Sequence, residues 1–360
     1  MTIPPPAEIP TNADDLTPEW LSGLLRAHGY DDARVVDVGA TPVGTGQMAS
    51  SYRLSLRYAS PCGLPDTMVA KLATGPVEQR EFASGAFRNE VRFYRGLVST
   101  FDVPTPAVFA TACSESGSEF VLLLEDIGNG HQGDQIAACS PDQVRAVAVA
   151  AAGLHGPRLD DATLLDEFPL PTPDDCAVMD SLLEPMTAVF RGRFDLTDRQ
   201  SATVDWLVRD AGHWLRTPPD HAALIHGDLR VDNVMFRDDG SLSILDWQTI
   251  TTGHPLRDVA FLLATSLRPD DRRTHERSIV ADYHRALRQW GAQSQAAAGL
   301  REYTLEDCWH DYIDNLIQAP LIIVFGAAAA QPTARGDAMF AAMLERAADA
   351  VADLAPERLE

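Results

Sequence analysis

The sequence predicts an α+β protein of two lobes. A small antiparallel sheet with one helix occupies residues 1–125, and a larger, mainly helical lobe occupies residues 126–360. Three observations predict it. Between residues 34 and 73 polar and apolar residues alternate, as in Ser51-Tyr-Arg-Leu-Ser-Leu-Arg-Tyr58, the pattern of half-buried strands. Beyond Glu125-Asp126-Ile127-Gly128 the period becomes helical. The chain has 360 residues, enough for about two domains at roughly 150 residues each.

Each element has its own signal. Residues 1–16 are rich in proline and are expected to form a loose arm. Thr17 followed by Pro18-Glu-Trp-Leu reads as an N-cap with proline at the first helical position, opening a helix that runs to Gly29. Val35-Val36-Asp37-Val38, Ser51–Tyr58 and Thr67–Ala73 read as strands, and Pro42-Val-Gly44-Thr45-Gly46 joins the first two as a hairpin. Glu78–Leu97 reads as the inserted helix, with Phe82, Phe87, Val91 and Tyr94 on its apolar face. Val108–Ala110 and Glu119–Leu124 add two strands. The lobes are expected to join near Asp126. Ser140 then caps an Ala/Val-rich helix ending at His155. Further helical patterns fall at roughly 180–192, 197–216, 255–267, 271–291, 303–319 and 334–354, and Leu224–Asp246 between them reads as short strand, loop, strand, strand.

Composition narrows the function classes. Twenty-nine basic and 52 acidic residues give a formal charge of −23 with no basic stripe, which disfavours a nucleic-acid or anionic-membrane partner. Five scattered cysteines without a Cys-x-x-Cys fit reduced thiols and neither a zinc ribbon nor a dithiol site. The first ten residues lack a basic segment followed by an apolar one. The run Leu316–Ala330 is interrupted by Gln318 and Pro320 and reads as too short to span a bilayer. A cytoplasmic protein is expected.

Lys71 is the single lysine; the other 28 basic residues are arginine. Arginine replaces lysine well as a solvated cation, but not where a compact ammonium must sit against phosphate oxygens.

The segment that carries chemistry is Leu224-Ile-His226-Gly-Asp228-Leu-Arg230-Val-Asp232-Asn233, followed by Ser243-Ile-Leu-Asp246-Trp-Gln248. It sets two carboxylates and an amide on turns between apolar strands, where backbone geometry can aim them at one point. Asn and Asp oxygens suit Mg²⁺, which completes its shell with substrate phosphates. A further Asp can accept a hydroxyl proton during phosphoryl transfer.

With its upstream Asn89-Glu-Val-Arg-Phe-Tyr94 and Leu122-Leu-Leu-Glu-Asp126, this segment resembles the aminoglycoside phosphotransferase-like small-molecule kinases, in particular their choline- and ecdysteroid-kinase-like branch. The resemblance runs from about Gly44 to Ala264 and implies the two-lobed protein-kinase-like fold. It implies Asp228 as catalytic base, Asn233 and Asp246 as Mg²⁺ ligands, and Lys71 on the ATP α/β-phosphates. Glu90 would orient Lys71, with Glu78 and Glu81 as weaker candidates. Gly44-Thr45-Gly46 would cover the phosphates, Glu125-Asp126-Ile127 would form the adenine-binding hinge, and His226 and Asp258 would brace the catalytic loop. The chain departs from protein kinases in its two-glycine hairpin, in Gly227, in Trp247-Gln248 after the metal-site aspartate, and in having no Ala-Pro-Glu activation segment between that aspartate and Asp258. A small-molecule alcohol, not a protein, is therefore the expected acceptor.

The competing readings are a nucleotide-binding pseudokinase or scaffold, and a metallohydrolase built on His226, Asp228 and His254. His131, His155, His213 and His310 read as ordinary histidines, and Trp309, Asp311 and Tyr312 as core packing.

Overall fold

A computed structural model describes residues 8–44 and 49–360 and shows two compact units. One contains the chain up to Ser99, Thr105–Gly130 and Leu245–Thr249; the other contains Thr100–Pro104, His131–Ile244 and Ile250–Glu360.

In the first unit α1 (Pro18–Ala27) opens on Thr17, whose side chain accepts the Trp20 N–H. It buries Leu21, Leu24 and Leu25. The strands β1 (Val35–Val43), β2 (Ser50–Tyr58), β3 (Thr67–Leu72), β4 (Val108–Cys113) and β5 (Phe120–Glu125) form one antiparallel sheet in the order β1-β2-β3-β5-β4. Register places Val43, Ser51, Lys71 and Leu122 in a single row across four strands. Leu54, Leu56, Met68, Ala70, Leu72, Val121 and Leu123 form the core beneath α1.

Two expectations fail here. Residues 8–16 are not a loose arm. Ile9 and Leu16 are buried in the core, and the Trp20 indole N–H donates to the Glu8 carbonyl at 2.8 Å. The apolar residues among the prolines gain more by burial than the segment gains by staying free. The inserted helix is also broken into α2 (Val77–Phe82), α3 (Ser84–Arg92) and a wider turn over Phe93–Leu97. No residue of α2 is buried and Phe82 is 87% exposed, whereas α3 turns Phe87, Glu90 and Val91 inward. The two segments do not share one inner face, so they do not form one straight helix.

The second unit begins its regular structure with β6 (Gly130–Gln132) and α4 (Pro141–His155), then α5 (Ala162–Glu167), α6 (Pro173–Arg193) and α7 (Asp198–Arg216). Ser140, Thr172 and Thr197 close reciprocal capping boxes on α4, α6 and α7, satisfying N–H groups that each first turn leaves open. The catalytic-type segment falls on β7 (Ala223–Ile225), β8 (Val234–Arg237) and β9 (Leu242–Ile244). β10 (Thr251–Gly253) pairs antiparallel with β7, and β8 pairs antiparallel with β9. There follow α8 (Leu256–Ser266), α9 (Pro269–Trp290), α10 (Gly299–Glu302), α11 (Leu305–Asp314), α12 (Gln318–Ala329) and α13 (Ala334–Leu354). Every residue of α8 except Arg257 is buried, so this helix is the axis of the unit.

The apolar run near residue 316 also corrects its sequence reading. Leu305–Ala329 is long and apolar enough to cross a bilayer by length and composition, with 61% of its most apolar window buried. Pro320 does not end the run, because it sits in the first turn of α12, where its missing N–H leaves no bond unmade. Leu316, Ile317, Ile323 and Val324 pack in the core.

Candidate active site

In the first unit, strand β3 presents Lys71 and helix α3 presents Glu90. The Lys71 ammonium donates to Glu90 Oε1 at 2.8 Å and to Asp246 Oδ1 at 2.8 Å. Burial disfavours the ammonium, but the two carboxylates outweigh it and raise the Lys71 pKa above the ordinary lysine value. Glu78 and Glu81 are exposed on and beside the outer face of α2; Glu90 is the glutamate that meets the lysine. Its Oε1 also accepts the Trp247 N–H at 3.1 Å, and the Trp247 ring stacks on Phe93 with centroids 4.1 Å apart. The tryptophan that replaces phenylalanine after Asp246 is thus held by the wide turn that ends α3. Asp246 itself has φ +62, a left-handed conformation that Asp tolerates better than most residues. Its side chain remains 40% exposed.

The remaining first-unit candidates lie along the same sheet. Gly44, with φ +75, follows Val43 in the row that holds Lys71; Thr45 and Gly46 fall outside the described residues. Glu125 pairs across the sheet with Met68, three residues along β3 from Lys71. Its Oε2 accepts the Ala107 N–H. Asp126 is gripped by the Arg53 guanidinium through bonds of 2.8 and 3.0 Å, and Ile127 is buried.

In the second unit the loop after β7 carries His226, Gly227, Asp228 and Asn233. The buried carboxylate of Asp258, in the first turn of α8, accepts the His226 N–H at 2.6 Å and the Gly227 N–H at 2.9 Å. His155 Nε2 lies 3.2 Å from the same carboxylate, and its Nδ1 lies 2.8 Å from the Tyr283 hydroxyl. Burial would raise the Asp258 carboxyl, but the His155 ring and the loop at His226 outweigh it and hold it below the usual carboxylate range. Gly227 has φ +82, so the turn that exposes Asp228 favours glycine. His226 Nδ1 accepts the Asp228 N–H at 3.3 Å, an acceptor role that fixes the loop.

Asn233 Nδ2 donates to the Asp228 carbonyl at 2.9 Å and to Asp228 Oδ2 at 3.0 Å. With both amide hydrogens engaged, the Asn233 oxygen is the atom left for a cation. Asp246 keeps partial exposure. An amide oxygen and a carboxylate are each hard donors of the kind that Mg²⁺ takes. Among the described residues no cluster of three or more His, Cys, Asp or Glu has metal-binding geometry.

Three residues around the loop were missed in the sequence. His155 is a brace of Asp258, not an ordinary histidine. Gln318 Nε2 donates to the Gly227 carbonyl at 3.1 Å. Gln135 receives the Val231 N–H on its side chain and gives its own N–H to Asp232. Each comes from a helix or loop more than 90 positions away in sequence, and no local motif marks it. Arg230 contacts Asp228 and Asp232, and Arg335 lies 3.5 Å from Asp232 and 4.0 Å from Asp134, so carboxylates and guanidinium groups are interleaved around the loop. Of the C-terminal trio, Tyr312 is core, while Asp311 lines a cavity instead of packing in it.

A family model described as the phosphotransferase enzyme family matches residues 63–303, well over half of the chain. Ethanolamine kinase of Plasmodium vivax aligns at TM-score 0.51 and 12% identity, covering 89% of this chain and 85% of its own. Choline kinase of Cryptosporidium parvum aligns at 0.52 and 11%, covering 86% and 88%. These likenesses concern the fold. Among curated sequences, acyl-CoA dehydrogenase family member 11 of Rattus norvegicus is 28% identical over 181 residues, 48% of this chain. The match spans only 22% of that longer protein.

Proposed function

The chain belongs to the phosphotransferase enzyme family, and from that premise we propose that it transfers the γ-phosphoryl group of ATP to a hydroxyl of a small molecule. The observation that carries this reading is the buried Lys71, the single lysine of the chain, set between Glu90 and Asp246. A surface cation needs neither burial nor two carboxylates; a lysine that must present one compact charge to phosphate oxygens needs both the site and the aim.

Lys71, held by Glu90, orients the α/β-phosphates. Asp228 accepts the proton of the acceptor hydroxyl, with Asn233 fixing its carboxylate. Asp258, His155 and His226 keep the loop in the conformation that exposes Asp228. Gly44 to Gly46 approach the phosphates through backbone N–H groups, and Glu125 to Ile127 receive the adenine. Asn233 and Asp246 would hold Mg²⁺, which when bound neutralises charge on the transferring phosphate. Positioning and electrostatics together supply the acceleration.

The mixed charges of Asp228, Asp232, Arg230 and Arg335 single out no one charge class of acceptor. The acceptor panel therefore includes aminoglycosides, choline-like amines, steroid alcohols and sugars. The curated relatives are named for acyl-CoA, so an acyl-CoA thioester that carries a hydroxyl joins the panel. ADP release measured across this panel, with phosphorylated product identified by mass, tests the reading. A nucleotide that binds but is never turned over with any acceptor would favour the scaffold alternative.

A further inference from the structure

A cavity of about 280 Å³ opens in the second unit among the α7–β7 connection, the end of β10, the start of α8 and the end of α11. Gly253 pairs with Ala223, the residue of β7 farthest from Asp228. His254 therefore leaves the sheet at its end remote from the loop that carries Asp228, and Arg257 follows in the first turn of α8. The wall includes Trp214, Pro218, His254, Arg257, Asp311 and Asn315.

Arg257 stands out among these. Its guanidinium lies 4.6 Å over the Trp214 ring, and the indole N–H is itself anchored on Asn315. Its Nε donates to Gln318 Oε1 at 2.9 Å. The two terminal nitrogens make no hydrogen bond, and no carboxylate lies within ion-pair distance, among the described residues. Burial pushes its pKa down to about 10. Asp258, the nearest opposing charge, is committed to His226 and Gly227. Of the other charged residues of the wall, Asp311 lies 3.4 Å from His254, Arg216 contacts Asp180 and Asp314 contacts Arg358, while Asp220 makes no ion pair among the described residues. A largely buried guanidinium without a counter-ion is costly, and stacking on an indole offsets only part of that cost. What remains is a planar pair of N–H donors facing a cavity, the geometry that grips two oxygens of a carboxylate or phosphate.

We propose that this cavity binds a small molecule through an anionic group, carboxylate or phosphate, seated on the terminal N–H pair of Arg257. We further propose that its occupancy is felt at Gly227 through Gln318. Gln318 is buried and spends one end on each partner: Oε1 on Arg257, Nε2 on the Gly227 carbonyl. A ligand that pulls on the guanidinium therefore pulls on the loop two hydrogen bonds away. The site stands without the phosphotransfer reading; only the name catalytic loop for residues 226–233 rests on it.

Calorimetric titration of the full chain with benzoate, and separately with inorganic phosphate, tests the site. Saturable binding of at least one is expected, with affinity at least tenfold weaker in Arg257→Met. Arg257→Lys keeps a cation if the neutral variant fails to fold, and it should weaken the same anion severalfold by losing the fork. No saturable binding of either anion to the wild type overturns the proposal. So does unchanged affinity in the Arg257 variants, or binding that survives in them and vanishes in Lys71→Arg. The relay is read by hydrogen exchange over residues 224–235. The bound anion should slow exchange there in the wild type and not in Gln318→Met; exchange that ignores the bound anion overturns the relay. Both readouts work without any kinase activity.

Discussion

Asp258 Oδ1 accepts the backbone N–H of Gly227 at 2.9 Å, and Gly227 holds φ +82, so a helix-borne carboxylate clamps a left-handed turn at the residue immediately before Asp228. The clamp is buried and its geometry is fully used: both carboxylate oxygens accept a loop N–H.

Asp258→Asn preserves shape but turns one acceptor into a donor facing a backbone N–H. A cost of about 2–4 kcal/mol is expected, since bonds to a buried charge are the strong ones and an unmatched donor adds its own penalty. The sign of the pH dependence follows from the lowered carboxyl. Its stabilisation is full above the ordinary aspartate value near 4 and fades as pH falls through the lower folded value. Urea unfolding of both forms should show the stability gap narrowing below about pH 4. A gap that holds constant into acid would show that the charge is not what stabilises the loop.

Asp246 contacts Lys71 at a positive φ, which decides which variant is informative. Asp246→Asn keeps a residue that tolerates the left-handed backbone and should leave the melting temperature within a few degrees. Asp246→Ala adds about 1–2 kcal/mol of backbone strain. Both should abolish Mg²⁺-dependent nucleotide turnover. Turnover near the wild-type rate in Asp246→Asn would remove this residue from the metal site.

Lys71→Arg retains the charge and loses the shape. The planar guanidinium cannot replace one ammonium 2.8 Å from each of two carboxylates, and kcat/KM should fall by roughly 10²-fold or more, about 3 kcal/mol. The buried pocket must also swell, at a cost of about 1–3 kcal/mol in stability. Because the lysine pKa is raised, its contribution is complete below about 10.4 and is lost only as pH rises through the folded value. Steady-state kinetics and a melting curve check both numbers; unchanged kinetics would remove Lys71 from the phosphate-binding role.

Much of this was legible in the sequence. Period-two alternation placed β2 and β3, and the Ser/Thr caps placed α1 and α4. The single lysine and the His226–Asp246 segment placed the groups described above, because each carries a local signal. What was not legible was long-range. The brace of Asp258 by His155, and the link of Gln318 to Gly227, join residues about 100 positions apart with no spacing rule between them. The break at Ala83 and the burial of Ile9 depend on which face meets the core, which a helical period alone does not state.

The most direct test of the account is phosphoryl transfer by the wild type and by Asp228→Asn, followed as ADP and phosphorylated product over the acceptor panel. Asp228 is partly exposed on its loop and contacts Asn233 and Arg230, so the amide variant is expected to fold with a melting temperature within a few degrees. Loss of the general base should lower turnover by about 10²–10⁴-fold while ATP still binds at Lys71. Asp228→Asn phosphorylating the acceptor at the wild-type rate would contradict the account.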